Sequence, residues 1–520
     1  MTDHQERPGE PLDAAPPSPE LLPAPATDLT DGNWHRLHPA SPLLRGGIAL
    51  LAILGVVLAN LRERLIEIFF PTGFESDDPF DLLLETGYLP WFLAGIAAVL
   101  LVLILGFYIS WRMHSFRVTE EVVEVRSGIV FRTNRKARLD RIQGINISRP
   151  FIARLFGAAK LEINQAGNDA NVELTYLGSA HADDLRRDIL LLASGTRRAE
   201  RAAETPAAGG TIEQRVSEFL APELDPNAAP PESVVKLNPG RLLGSIVLSE
   251  GTIFLLLLII GAIVGVFTTG EIYPLFAIVP AILGLGGYLV SKFLRSLRYS
   301  IAATPDGVRV GFGLLSTTNS TLPPGRIHSV QLSQSLLWRP FGWWQLKVNR
   351  ASRSSARGAA GEQNTTILPV GDAGDVARVL DLLLPDVADR EVIALALSSK
   401  GAVDGFTISP ARARVVRWFS RLRNGFAKVP GGIVLRRGAI WRDVIVVPDP
   451  RLQSVALEQG PLARSLRIAA VRLHTVDGPI FARIGAIDQD DAVRFFGDVA
   501  TVVVDAGRAD RSHRWREHPA

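Results

Sequence analysis

The chain contains no cysteine and only two methionines among 520 residues. Without thiols there is no disulfide, no thiolate metal site, no cysteine nucleophile and no cysteine-linked lipid. A dominant charge is missing too. The 56 basic and 53 acidic side chains leave a net charge of only +3, so nucleic acid is not an expected partner. Enzyme signatures are absent: there is no GxSxG elbow, no HExxH and no phosphate-cradling GxxxxGKS/T. His328 and His474 stand alone and read as hydrogen-bonded strand residues. The expectation is a protein that is not an enzyme, with no catalytic residue, no cofactor and no metal.

What the chain does have is apolar sequence concentrated in four segments, about Leu43 to Leu61, Pro90 to Trp111, Leu242 to Thr268 and Tyr273 to Ser291. At 1.5 Å per residue each is long enough, or nearly so, to cross a bilayer. They pair into two predicted transmembrane hairpins. A polar stretch precedes the first segment and a second span follows it, which argues against a cleaved signal peptide. Arg36, Arg45, Arg112, Arg117, Lys236, Arg241, Lys292, Arg295 and Arg298 lie on the side shared by both termini, against only Arg62 and Arg64 on the other. The positive-inside rule then places both termini and the bulk of the chain in the cytoplasm of a multi-pass cell-membrane protein.

Outside these segments one pattern occurs three times. Gly128, Arg141 and Arg154 are thirteen residues apart, as are Gly313, Arg326 and Arg339, and Gly438, Arg451 and Arg464. Val123/Val125, Val308/Val310 and Ile433/Leu435 alternate just before the glycine, which suits a hairpin turn at positive φ. Segments beginning at Ala180, Asp372 and Asp488 carry helical spacing. Their acids, Asp183/Asp184 and Asp490/Asp491, complement the helix dipole rather than forming an acid–base pair. Each repeat is thus expected to be a small antiparallel sheet or barrel closed by one helix. The division is a disordered tail over 1–40, hairpin one over 41–113, repeat one over 114–194, a linker over 195–240 and hairpin two over 241–296. Repeat two follows over 297–386, a connecting helix or linker over 387–404, repeat three over 405–507 and a basic tail over 508–520.

The run from Arg451-Leu-Gln-Ser-Val455 to Thr475, together with Arg141-Ile-Gln-Gly-Ile145, resembles the core motif of bacterial PH-like domains in the YdbS/YdbT-like membrane protein family. The resemblance implies an α+β membrane protein, with three PH-like domains, each a bent antiparallel β-sandwich or barrel with a C-terminal helix, on two membrane hairpins. Repeat three departs from the pattern, with Arg467 where the others have Gly157 and Gly342; either a close backbone approach is lost there or the arginine faces solvent. The resemblance does not bring an inositide site with it.

Three sets of residues are candidates for function. The repeat-motif glycines and arginines are structural or form a binding surface for lipid phosphate or a carboxylate, with the arginines capping loop carbonyls as the favoured reading. Arg412, Arg414, Arg417, Arg421, Arg423 and Lys428 are interleaved with Val415, Val416, Trp418, Phe419, Leu422 and Phe426. Such a stretch either lies on anionic lipid head groups or packs its apolar face inward. Glu250 falls within the third segment, where a carboxylate is a functional candidate or one that reaches the interface to pair with Lys292 or Arg295. The functional expectation is a non-enzymatic membrane protein whose cytoplasmic repeats bind protein or lipid in an envelope or export-related assembly, with a protein partner or a homo-oligomer. The alternative is a small transporter or transporter subunit with Glu250 in the membrane path.

Overall fold

The structure is a computed structural model that describes residues 29–41, 44, 89–128, 132–165, 171–193, 234–271, 273–304, 307–323, 325–351, 365–387, 390–402 and 405–509. The segment Leu43 to Leu61 apart from Leu44, the loop holding Arg62 and Arg64, most of the 1–40 tail and of the 195–240 linker, and the basic tail past Ala509 lie outside the described residues.

Each repeat supplies seven strands and a closing helix. Repeat one has β1 (His35–Arg36), β2 (Ser115–Val118), β3 (Val122–Ser127), β4 (Thr133–Arg138), β5 (Ile142–Arg149), β6 (Ala158–Gln165) and β7 (Val172–Gly178). Repeat two has β8 (Val234–Lys236), β9 (Ser300–Thr304), β10 (Gly307–Phe312), β11 (Thr317–Leu322), β12 (Ile327–Gln334), β13 (Trp344–Arg350) and β14 (Thr366–Gly371). Repeat three has β15 (Thr407–Ile408), β16 (Gly425–Val429), β17 (Gly432–Arg437), β18 (Arg442–Pro448), β19 (Ser454–Glu458), β20 (Ile468–His474) and β21 (Arg483–Asp488). The closing helices are Ser179–Ala193, Ala373–Leu383 and Gln489–Ala509. In the second, Asp372 caps the first turn and exchanges hydrogen bonds with Asp375 in a capping box.

The sheets do not stop at the repeat boundaries. β5 pairs with β11 and β12 with β18, giving two seven-stranded sheets ordered β7-β6-β5-β11-β10-β9-β8 and β14-β13-β12-β18-β17-β16-β15. At the two ends stand a four-stranded sheet, β1 to β4, and a three-stranded one, β19 to β21. Each repeat still packs its two sheets around a core, as expected of a sandwich, but repeats one and two each share the three strands of their second sheet with the first sheet of the repeat that follows.

Both junctions use one register. Arg149 faces Thr317 in the first and Gln334 faces Arg442 in the second. Arg149 and Gln334 each follow their repeat's glycine by twenty-one residues, and Thr317 and Arg442 follow theirs by four. Period-two alternation sends successive cores to opposite faces of a shared sheet. Ile145 and Ile147 enter the core of repeat one, whereas Asn146 between them faces Ser320, which lies opposite the repeat-two core residue Val310.

Two described helices are long and apolar enough to cross a membrane by length and composition, Glu250–Thr269 and Ile278–Ser296. The helix Leu89–Arg112 is also described, whereas its expected partner is not. The third segment differs from its expected bounds. A separate helix, Pro239–Val247, ends at Leu248, Ser249 caps a new one, and Glu250 opens its first turn. The earlier helix belongs to repeat two: Leu242 and Ser245 are buried, Arg241 pairs with Asp372 and Asp375, and the Trp338 indole donates to the Ser245 carbonyl. The fourth segment runs on to Ser296, passing Pro280 and then a π-helical turn at Ile282–Gly286. A proline leaves a carbonyl without its helical donor, and a π turn is one way of absorbing that mismatch.

Candidate functional site

The repeat glycines close equivalent hairpins, β3–β4, β10–β11 and β17–β18, with φ of 107°, 110° and 82°. The close approach is severe at Gly438, where an added Cβ would stand 1.8 Å from the Trp441 carbonyl oxygen. Position 467 is left-handed in the same way as Gly157 and Gly342: φ is 49° at Arg467 against 64° and 65°. A Cβ at either glycine meets nothing within 4 Å, so that site demands a backbone conformation rather than a close approach.

The arginines divide by position. Arg141 is exposed in the turn Leu139–Arg141, and Arg451 ends the matching turn Asp449–Arg451. Arg326 donates to the Asp140 carbonyl of repeat one at 3.2 Å. Arg339, beyond β12, donates to the carbonyls of Ala439 and Ile440 in the Gly438 hairpin of repeat three. Arg154 holds the same place in repeat one, in the short helix Phe151–Leu155. Arg464 holds it in repeat three, where it is exposed.

The Gly438 hairpin also reaches the start of the apolar helix. The Trp441 indole N–H donates to the Glu250 carboxylate. Glu250 is therefore an exposed acid in the first turn of the apolar helix, at the end where it meets repeat three through Trp441. At the other end of β12 from this hairpin, His328 hydrogen-bonds to the backbone of Arg451; burial, with Arg451 and Arg326 close by, pushes its pKa down to about 4. The unfolded chain would take up a proton on this ring below about pH 6.5 that the folded chain refuses. The stabilisation is therefore complete above pH 6.5 and is lost as pH falls toward 4. His328→Gln is expected to flatten that part of the stability profile, as thermal melts from pH 7 to 4 would reveal; an unchanged profile would remove His328 as the cause.

The apolar helices enter the repeats at one topological point. In repeat one the chain leaves β1, runs through Leu89–Arg112 and returns as β2, which pairs with β1. Repeat two leaves β8, passes Glu250–Thr269 and Ile278–Ser296 and returns as β9, which pairs with β8. Repeat three has the segment 409–424 at this point, between the paired strands β15 and β16. Its two 3-10 turns, Ala411–Val415 and Arg421–Arg423, leave Val415, Val416, Trp418, Phe419 and Leu422 exposed, Trp418 by 75 %. A groove beside them is lined by Trp418, Phe419, Leu462, Glu458 and Arg483.

The six cations of this stretch do not act alike. Arg423 is buried and donates to the carbonyls of Ala396, Leu397 and Ser399 at the end of the helix Arg390–Ser398. Arg412 bonds Asp488 and the carbonyls of Leu466 and Arg467, Arg421 bonds the Ser409 carbonyl, and Lys428 pairs with Asp498. Arg417 is partly buried beside Gly485. Arg414 is exposed. Phe426 packs into the repeat-three core, so the stretch turns some apolar groups inward and others out.

Among the described residues no group of three or more His, Asp or Glu could hold a metal ion. A sequence model of the bacterial PH domain matches residues 67–193, 253–387 and 379–501, well over half of the chain. No curated protein and no solved structure matches.

Proposed function

The chain belongs to the bacterial PH domain family, and from that premise we propose that it is a non-enzymatic integral membrane protein whose repeats form a cytoplasmic binding scaffold. In this reading the apolar helices are hairpins in the cell membrane, as in the YdbS/YdbT-like proteins that the sequence resembles. Repeat three meets the anionic leaflet through the exposed part of 409–424. The observation that carries the proposal is the shared insertion point. Where two repeats put long apolar helices, the third puts exposed Val415, Trp418, Phe419 and Leu422 beside Arg414. Aromatic and aliphatic tips with a cation suit the head-group boundary of a bilayer.

Because the native chain lacks cysteine, Trp418→Cys can carry a single environment-sensitive fluorophore in the full chain reconstituted into bilayers. The expected result is a blue-shifted emission in vesicles with anionic lipid and a smaller shift in neutral ones. Arg414→Gln should lower the inserted population about fivefold, since one interfacial cation is worth about 1 kcal/mol. Emission characteristic of water in both vesicle types would reject the lipid contact and leave a protein ligand as the occupant of this loop.

A further inference from the structure

We propose that β19 is a docking edge for the first sheet of another PH-like polypeptide, which adds a fourth repeat to the string. This inference goes beyond the lipid contact and rests on the sheet geometry alone. The strands equivalent to β19 are β5 and β12, and both are covered along this edge by the last strand of the next repeat's first sheet, in one register. Among the described residues β19 pairs only with β20. An unpaired edge presents backbone donors and acceptors to any extended strand.

Two features around the edge match the covered copies, while Ala456 departs from their polar residues. Val455 and Leu457 turn inward to the repeat-three core, as Ile145/Ile147 and Val330/Leu332 do in theirs. Ala456 takes the place of Asn146, which accepts from Ser320 across the first junction, and of Gln331, which bonds Asp443 across the second. Arg464 is exposed at the position where Arg339 holds the hairpin carbonyls of the following repeat.

The partner is another polypeptide rather than a second copy. The only other uncovered edge of this type among the described residues is β4, which carries Arg135, Lys136 and Arg138, with Lys136 and Arg117 paired to Glu124 on its sheet. The matching residues of the covered strands are Ser320, Thr321 and Pro323 in one junction and Ile445, Val446 and Pro448 in the other. A run of like charge on an edge disfavours strand addition. Among the described residues the edge of repeat one carries a basic run and that of repeat three does not, and the partner β19 fits is a strand like β11 or β18, preceded by a glycine hairpin and free of such a run.

The internal strand β11 supplies a probe. A synthetic peptide of residues 307–322 with Ser320→Cys is mixed with the full chain carrying a single cysteine at 455, 456 or 457, under mild oxidation. Transferring the shared register sets Thr317 opposite Gln459 and Ser320 opposite Ala456. Because a one-residue slip puts the side chain on the other face, Ala456→Cys should cross-link about five times faster than Val455→Cys or Leu457→Cys. Arg464→Ala, made in the Ala456→Cys chain, should slow that reaction several-fold without shifting the thermal midpoint, because it removes the charged donor to the peptide's Leu314 and Leu315 carbonyls. Equal cross-linking by a scrambled peptide, or none at 456, would overturn the docking edge. Cross-linking of Ala456→Cys to Arg135→Cys chains without peptide would overturn the choice of partner in favour of self-assembly.

Discussion

Replacing Arg423 by methionine is expected to destabilise repeat three by about 2–4 kcal/mol, the range for removing a charged donor from buried acceptors. Its guanidinium is almost fully buried, and burial among Arg442, Arg436 and Arg339 pushes its pKa down to about 9. The compensation is three carbonyls, those of Ala396, Leu397 and Ser399, at the negative end of the helix Arg390–Ser398. Arg436 works beside it, bonding Ser399 Oγ and the Gly401 carbonyl with its guanidinium over the Phe406 ring at 4.4 Å. Methionine matches much of the volume but leaves the carbonyls bare. Thermal unfolding of the full chain should shift down by roughly 5–10 °C, whereas Arg414→Met at the exposed site should stay within about 0.5 kcal/mol. Equal shifts for the two would mean that Arg423 does not hold this helix.

A comparable loss is expected from Gly438→Ala. The backbone there has φ of 82°, and a methyl would stand 1.8 Å from the Trp441 carbonyl oxygen, so the hairpin must open. Strain of this kind costs about 2–4 kcal/mol. The effect extends past the turn, because the same hairpin offers Ala439 and Ile440 carbonyls to Arg339 and the Trp441 indole to Glu250. Gly261→Ala, in the apolar helix with open space around it, is the control and should not destabilise the protein. Thermal melts of both variants decide the matter: a Gly438→Ala protein as stable as the Gly261→Ala protein would contradict the tight turn.

The three hairpins were legible because a turn at positive φ leaves glycine at a fixed distance from the motifs around it. The closing helices were legible from their apolar spacing. The shared sheets were not, for a physical reason: β11 is Thr-Thr-Asn-Ser-Thr-Leu, which reads as a solvated strand until β5 is seen to cover it. The common insertion point was hidden because β1 and β15 are two residues each, too short to display alternation. Ser249 before an acid was a readable helix start. The apolar run on both sides masked it, so the segment read as one helix from Leu242 and not as a new helix with Glu250 in its first turn. Arg423 looked like one of six similar cations, since its acceptors lie more than twenty residues upstream on a separate helix.

The central proposal is that all three repeats gather on the cytoplasmic face of one membrane, with the apolar helices inserted between the first two strands of repeats one and two. Single cysteines in the naturally cysteine-free chain test this most directly. Glu271→Cys sits in the turn after Glu250–Thr269, and Arg464→Cys on repeat three. With a membrane-impermeant maleimide added to intact cells, the account predicts labelling at 271 and none at 464 until the membrane is permeabilised. Labelling of both positions in intact cells, or of 464 alone, would contradict it.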